Sequence, residues 1–203
     1  MNESVKRTLE SLKRNGVNAV YFEGSESAVN YLMNNIKNGE TVGIGGSMTV
    51  KSLGIPEKLI ERGNKVHFHW LAKTPEEMDE IRYNAVKADV YLSSTNALTE
   101  SGQLVNIDGI GNRVASMIFG PKKVLVICGI NKITKDLDAA LKRIKDNTYK
   151  NARRLKLDTP CAHTEKCSDC RSPQRMCNVT TIIERKPSKT DLEVIIIGQE
   201  LGY

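Results

Sequence analysis

Apolar residues recur along this chain with two alternating periods. Val5, Leu9 and Leu12 fall at i, i+4 and i+7, the spacing of one helix face, so residues 2–14 are expected to form an amphipathic helix that stops at Gly16. Asn18–Phe22 follows as a short strand. Val29, Leu32, Met33 and Ile36 mark a second helix ending before Gly39. Thr41–Ile44 and Val66–Trp70 read as strands. Between them, Val50 and Leu53 mark a helical stretch. Thr74-Pro75-Glu76-Glu77 is a capping box with proline at the first helical position, and it opens a helix carrying Met78, Ile81, Ala85 and Val86. Asp89–Leu92 and Val124–Cys128 read as further buried strands. Gln103–Ile107 alternates like a hairpin arm, and Asn112-Arg113 opens a helix holding Val114, Met117 and Ile118. Helix and strand thus alternate at short intervals. That order predicts an α/β fold: a mostly parallel sheet with helices on both faces.

The last third changes character. Residues 135–157 read as one long basic helix. Residues 158–178 are polar and rich in cysteine, with Pro160 and Pro173, and fit neither period. Val179–Glu184 and Leu192–Ile197 are two strands joined by a turn-like stretch. No repeat or low-complexity tract interrupts the chain. The expectation is a single domain over residues 1–203, with a Cys-rich insertion near the C-terminus.

Composition narrows the class. Of 203 residues, 39% are hydrophobic and 27% charged, which excludes a disordered chain or a coiled coil. The longest apolar run, Val124–Ile130, is far short of the ~20 residues that span a bilayer, and the N-terminus lacks the apolar core of a signal peptide. A cytoplasmic protein with reduced thiols, and no membrane partner, is expected. The net charge of +6 is local: nine basic and three acidic residues lie between Lys132 and Lys156. Such a stripe can draw in an anionic metabolite, an acidic protein or a nucleic acid, or it can simply be a solvated helix face. Tyr149 is the only aromatic residue within it, which makes nucleic acid the least favoured of the three.

Two stretches carry candidate binding chemistry. Gly43-Ile44-Gly45-Gly46-Ser47-Met48-Thr49 joins a strand to a helical stretch. Its amides and the Ser47 and Thr49 hydroxyls suit a phosphate or carboxylate. The spacing is neither the Rossmann fingerprint nor a Walker A, so no nicotinamide cofactor is expected. A plain strand-to-helix turn is the alternative. The second stretch, Ser94–Arg113, follows a strand, where α/β sheets place ligands. Asn96, Glu100, Asn106, Asp108, Asn112 and Arg113 are its candidate site residues, although Asn, Asp and Gly also form ordinary turns.

The run GGSMT at 45–49 and the segment 88–133 resemble the LUD domain of lactate-utilisation proteins. The likeness covers about residues 1–150 and the closing strands, the central segment most specifically. It implies a fold similar to the NagB/RpiA/CoA-transferase group, in which the loop matching Gly43–Thr49 binds an anion. Lactate-to-pyruvate oxidation beside iron–sulfur partner subunits is the implied setting. Glu100-Ser101-Gly102 is similar to the Glu-x-Gly turn holding the nucleophile of CoA transferases, which makes Glu100 the catalytic candidate. A sugar-phosphate isomerase-like enzyme is a further alternative, as is a regulatory or RNA-binding module. The loop departs from the usual Gly-Thr-Gly-Ser-Thr form, and the Asp and Lys set of ribose-phosphate isomerases is not recognisable.

Cys161, Cys167, Cys170 and Cys177 are spaced C-x5-C-x2-C-x6-C, with His163 inside the first interval. Four soft donors in a short polar segment suit zinc or an iron–sulfur cluster. A redox-active pair or free thiols are the alternatives. Cys128, in an apolar strand, is expected to be an inert core thiol. His67 and His69 would share one strand face, but no third metal ligand is visible nearby, so both are expected to be structural. A homodimer is the default assembly.

Overall fold

The structure, a computed structural model, describes residues 1–203. In chain order its elements are α1 (Glu3–Arg14), β1 (Asn18–Phe22), α2 (Ser25–Asn35), β2 (Val42–Ile44), α3 (Met48–Ser52), α4 (Ile55–Glu61), β3 (Val66–Phe68), α5 (Pro75–Val86) and β4 (Val90–Ser93). They continue with β5 (Ala97–Thr99), β6 (Leu104–Asp108), α6 (Asn112–Ile118), β7 (Lys123–Gly129), β8 (Ile133–Thr134), α7 (Leu137–Arg154), α8 (Pro160–Thr164), β9 (Val179–Ile183) and β10 (Asp191–Ile197).

Six strands form one all-parallel sheet in the order β1-β10-β7-β4-β2-β3. Its central strands are apolar on both faces, as a sheet covered by helices on both sides demands. Along β7 and β10 the side chains alternate between two cores. Leu125, Ile127, Ile195 and Ile197 pack with Leu32 of α2 and Leu59 of α4. Val124, Val126, Val194 and Ile196 pack with Leu12 of α1 and Met117 of α6. A second sheet, ordered β8-β5-β6-β9, stands beside the first. Its Leu98, Leu104 and Ile183 join the second core, while Ala97 and Val105 pack on Ala140 and Ile144 of α7.

Helix starts follow their side-chain caps. Asn2, Ser47, Thr74 and Asp136 each accept a hydrogen bond from an early amide of the helix they precede. The expected strand at 66–70 ends at Phe68, because His69–Leu71 turn into a 3-10 helix. The long helix is shorter than the expected 135–157, and α4 was not anticipated as a separate helix. Strands β9 and β10 are not partners. The connection between them carries the chain from the outer edge of the small sheet to the interior of the large one, where β10 lies between β1 and β7.

Between α7 and β9 the only regular element is α8. All three non-glycine residues with left-handed backbone lie here: Lys156, Glu165 and Asp169, at φ of 54°, 61° and 49°. Arg175 braces the segment, donating to the Cys177 and Cys170 carbonyls and to Asp169. No helix of the chain is long and apolar enough to cross a membrane.

Candidate functional site

In a parallel sheet every strand points its carboxyl end the same way, and ligands collect at that edge. Here the residues following β2, β3, β4, β7 and β10 all reach one cleft of about 400 Å³. From the glycine loop come Gly46, Ser47, Met48 and Thr49; after β3 come His69 and Trp70; after β4, Ser94 to Asn96; after β7, Lys132; after β10, Gly202 and Tyr203. Asp108, Asn112 and Arg113 close one side, and the α7 terminus with Gln174–Met176 and Asn178 closes the other. The two stretches singled out in the sequence therefore face one another across a single space.

Not every candidate residue points into it. Gly45 lies just behind the wall, where a Cβ would sit 2.8 Å from the Tyr91 hydroxyl and 2.9 Å from Arg113 Cγ. Asn106 is fully buried. Its Oδ1 accepts from the Asn96 amide at 3.2 Å and from Arg113 at 2.7 Å, while its Nδ2 has no partner. Glu100 is outside the cleft altogether. It sits in the β5–β6 turn, which packs on α1, and its carboxylate takes two hydrogen bonds from Arg7, at 2.8 and 3.0 Å. Those bonds hold its pKa below the usual carboxylate range. The structure thus separates Glu100 from every other candidate site residue.

Arg113 lines the cleft but has no donor to spare. Nη1 donates to the Ser94 carbonyl (3.1 Å) and Asn106 Oδ1 (2.7 Å), and Nη2 to Asn96 Oδ1 (2.8 Å) and the Ile107 carbonyl (3.0 Å). Nε faces Asp108 at 3.6 Å, and Asp108 also accepts from the Gly109 and Val114 amides. Arg113 is therefore a strut joining β4, β6 and α6, rather than a hand held out to a ligand. Arg175 is spent on its own segment in the same way.

The charge left over is positive. Asp108 is the one acidic side chain on the lining, against five basic ones. Lys132, 4% exposed, donates from Nζ to Thr49 Oγ1 (2.9 Å) and Ser94 Oγ (2.8 Å), and makes no ion pair. Burial, with help from nearby Arg143 and Arg113, brings its pKa down to about 7. Arg154 lies over the Trp70 ring, 4.6 Å from its centroid, and has no acidic partner. Arg82 pairs with Asp79 through Nη1, while its buried Nε has no hydrogen-bond partner. His69 is held neutral: burial first, then Arg82 and Arg154, lower its pKa to about 4. Arg82 was missed in the sequence, Lys132 and Arg154 were counted there only within the basic stripe, and His69 was set aside. The available signal was position, since Lys132 and His69 both follow a parallel strand directly.

A family model described as the LUD domain matches residues 5–197. The chain belongs to the LUD domain family. No curated protein sequence matches it significantly. Among solved structures, this LUD chain is similar to a DUF162 family protein from Deinococcus radiodurans, with a TM-score of 0.58 at 11% identity over 97% of both chains. At that identity the likeness shows the fold alone. eIF2B delta from Chaetomium thermophilum gives a TM-score of 0.39 at 12% identity, over 70% of this chain and 59% of that one, too low to carry an argument.

The cysteine segment abuts the cleft through Gln174–Met176 and Asn178. Cys161, Cys170 and Cys177 are partly buried, Cys167 is exposed, and all four are free. No three His, Cys, Asp or Glu side chains of the chain converge as a metal site. The donor chemistry suits zinc or iron–sulfur, although the four thiols do not converge on one point here. Of the basic stripe, Arg143 donates to the Asn131 and Asn96 carbonyls and Arg153 to Ala162 and Glu165, Lys132 and Arg154 line the cleft, and Lys135, Lys142, Lys145 and Lys156 are exposed.

Proposed function

We propose that this LUD domain binds a small anionic metabolite, a carboxylate or phosphate, in the cleft at the carboxyl ends of the large sheet. It does so as a subunit of, or accessory to, lactate-to-pyruvate oxidation beside iron–sulfur partners. One observation carries the binding reading: Lys132 and Arg154 face the cleft without a single acidic partner. A cleft lined by basic groups with no acidic partner of their own carries a positive potential, which favours an anionic ligand over a neutral one. The Thr49 and Ser94 hydroxyls and the free Arg82 Nε supply further polar contacts. Family membership supports the metabolic setting.

The test is a thermal-shift screen of lactate, pyruvate, sugar phosphates and CoA esters, with glycerol as the uncharged control. Ligand at a hundredfold excess over its dissociation constant stabilises the folded state by about 2.7 kcal/mol, which is read as a rise of several degrees. Anions should shift the midpoint and glycerol should not. No shift with any anion overturns the reading.

The four thiols remain our proposed donors for zinc or an iron–sulfur cluster.

A further inference from the structure

The anion reading leaves one group with more chemistry than charge alone requires. Lys132 stands in the 3-10 turn Ile130–Lys132 directly after β7. Its Nζ is fixed between two hydroxyls, Thr49 from α3 and Ser94 from the β4 exit. The groups that act on it electrostatically are the Cys128 thiol of β7 and two guanidiniums, Arg113 of α6 and Arg143 of α7; no carboxylate joins them. Space beside the amine is kept by Gly202, where a Cβ would lie 3.3 Å from Nζ. A lysine desolvated next to other cations, without a counter-ion, keeps its lone pair available, and this is how amines become nucleophiles toward carbonyls.

We propose that Lys132 forms a reversible imine with the carbonyl carbon of a small 2-oxo acid whose carboxylate is drawn in by Arg154 and the free Nε of Arg82 on the cleft lining. This deepens the anion-binding reading and rests on it. The Nζ lone pair attacks the carbonyl carbon, forming a C–N bond while the oxygen takes a proton. The resulting carbinolamine then loses that oxygen as water, and both amine protons leave in the water. Nothing is oxidised or reduced. The Ser94 and Thr49 hydroxyls, each within 3 Å of Nζ, are placed to relay those protons. The downshifted pKa of about 7 means that much of the amine is unprotonated near neutrality.

The test is reductive trapping on the whole wild-type chain. The protein is incubated with pyruvate and cyanoborohydride, and the products are read by intact mass and peptide mapping. The expected result is one adduct per chain at Lys132, formed with a pH profile rising near 7 rather than near the 10.4 of ordinary lysine. Lactate has the same carboxylate but no carbonyl, so it slows labelling without forming an adduct. Labelling spread over exposed lysines, with Lys132 unmodified, overturns the proposal. No labelling while lactate or pyruvate still raises the melting midpoint overturns the imine and leaves anion binding standing. No labelling and no shift removes both.

Discussion

Replacing Arg113 with alanine tests whether that residue is a strut or a ligand group. Its side chain is 11% exposed and makes four hydrogen bonds, to Ser94, Asn106, Asn96 and Ile107, besides the ion pair with Asp108. Two acceptors keep a second donor, since Asn96 Oδ1 also accepts from the Ile107 amide and Asn106 Oδ1 from the Asn96 amide. Asp108 keeps two backbone amides. The loss is therefore less than five independent interactions, and comparable to breaking a buried ion pair, about 3–5 kcal/mol. For a domain of this size that is a fall in melting midpoint of roughly 6–20 °C. Arg113→Lys keeps the charge but cannot reproduce the planar fork, so it recovers only part of the loss. Urea denaturation of the three proteins measures the effect. Arg113→Ala within about 1 kcal/mol of wild type would refute the strut. So would an Arg113→Lys protein of unchanged stability that has lost anion binding.

Other changes separate the remaining roles. Arg154→Ala removes one charged partner at the cleft rim; anion affinity by calorimetry should fall about tenfold with little change in stability, and an unaltered affinity would count against the site. His69 has a folded pKa near 4 against an ordinary 6.5, so the unfolded chain binds the extra proton between those values. Its contribution to stability is complete above pH 6.5 and is lost as pH falls toward 4; His69→Asn should flatten that limb in urea titrations, and an identical slope would contradict the assignment. Lys132→Met removes an amine whose protonated form burial disfavours, so the variant's stability relative to wild type should be highest below pH 7 and decline as pH rises through about 7 toward 10.5; a pH-independent difference would show that the amine is not strained. For the cysteines, zinc, iron and sulfide are assayed on anaerobically prepared protein; one metal centre per chain is expected, and four freely titrating thiols without metal would end that proposal.

The large sheet was legible because its strands are covered on both faces. Val124–Cys128 is a continuous apolar run and Val194–Ile197 another, as strands packed on both faces require. The glycine loop and Ser94–Arg113 were legible as places, because both leave the carboxyl ends of strands. Individual roles were not. Glu100 looked chemical in a Glu-x-Gly turn, but the turn docks on α1, and Arg7 is 93 residues away in sequence. Arg113 looked free until its five donors were counted. Lys132 was hidden among the nine basic residues of a stripe, although it is buried while its neighbours are solvated. His69 was assigned to a strand face, but the strand ends one residue earlier and the 3-10 turn brings the ring to the cleft. Local pattern reveals where a chain exits a sheet. Which side chain remains unpaired there depends on partners from distant segments.

The most direct measurement is a crystal structure of the protein with the strongest anion from the thermal screen. That ligand should lie between the 46–49 loop and Asn96–Arg113, its charged end in contact with Lys132 or Arg154. Density for it on the outer face of α7, or at the Glu100 turn with the cleft holding only solvent, would contradict it.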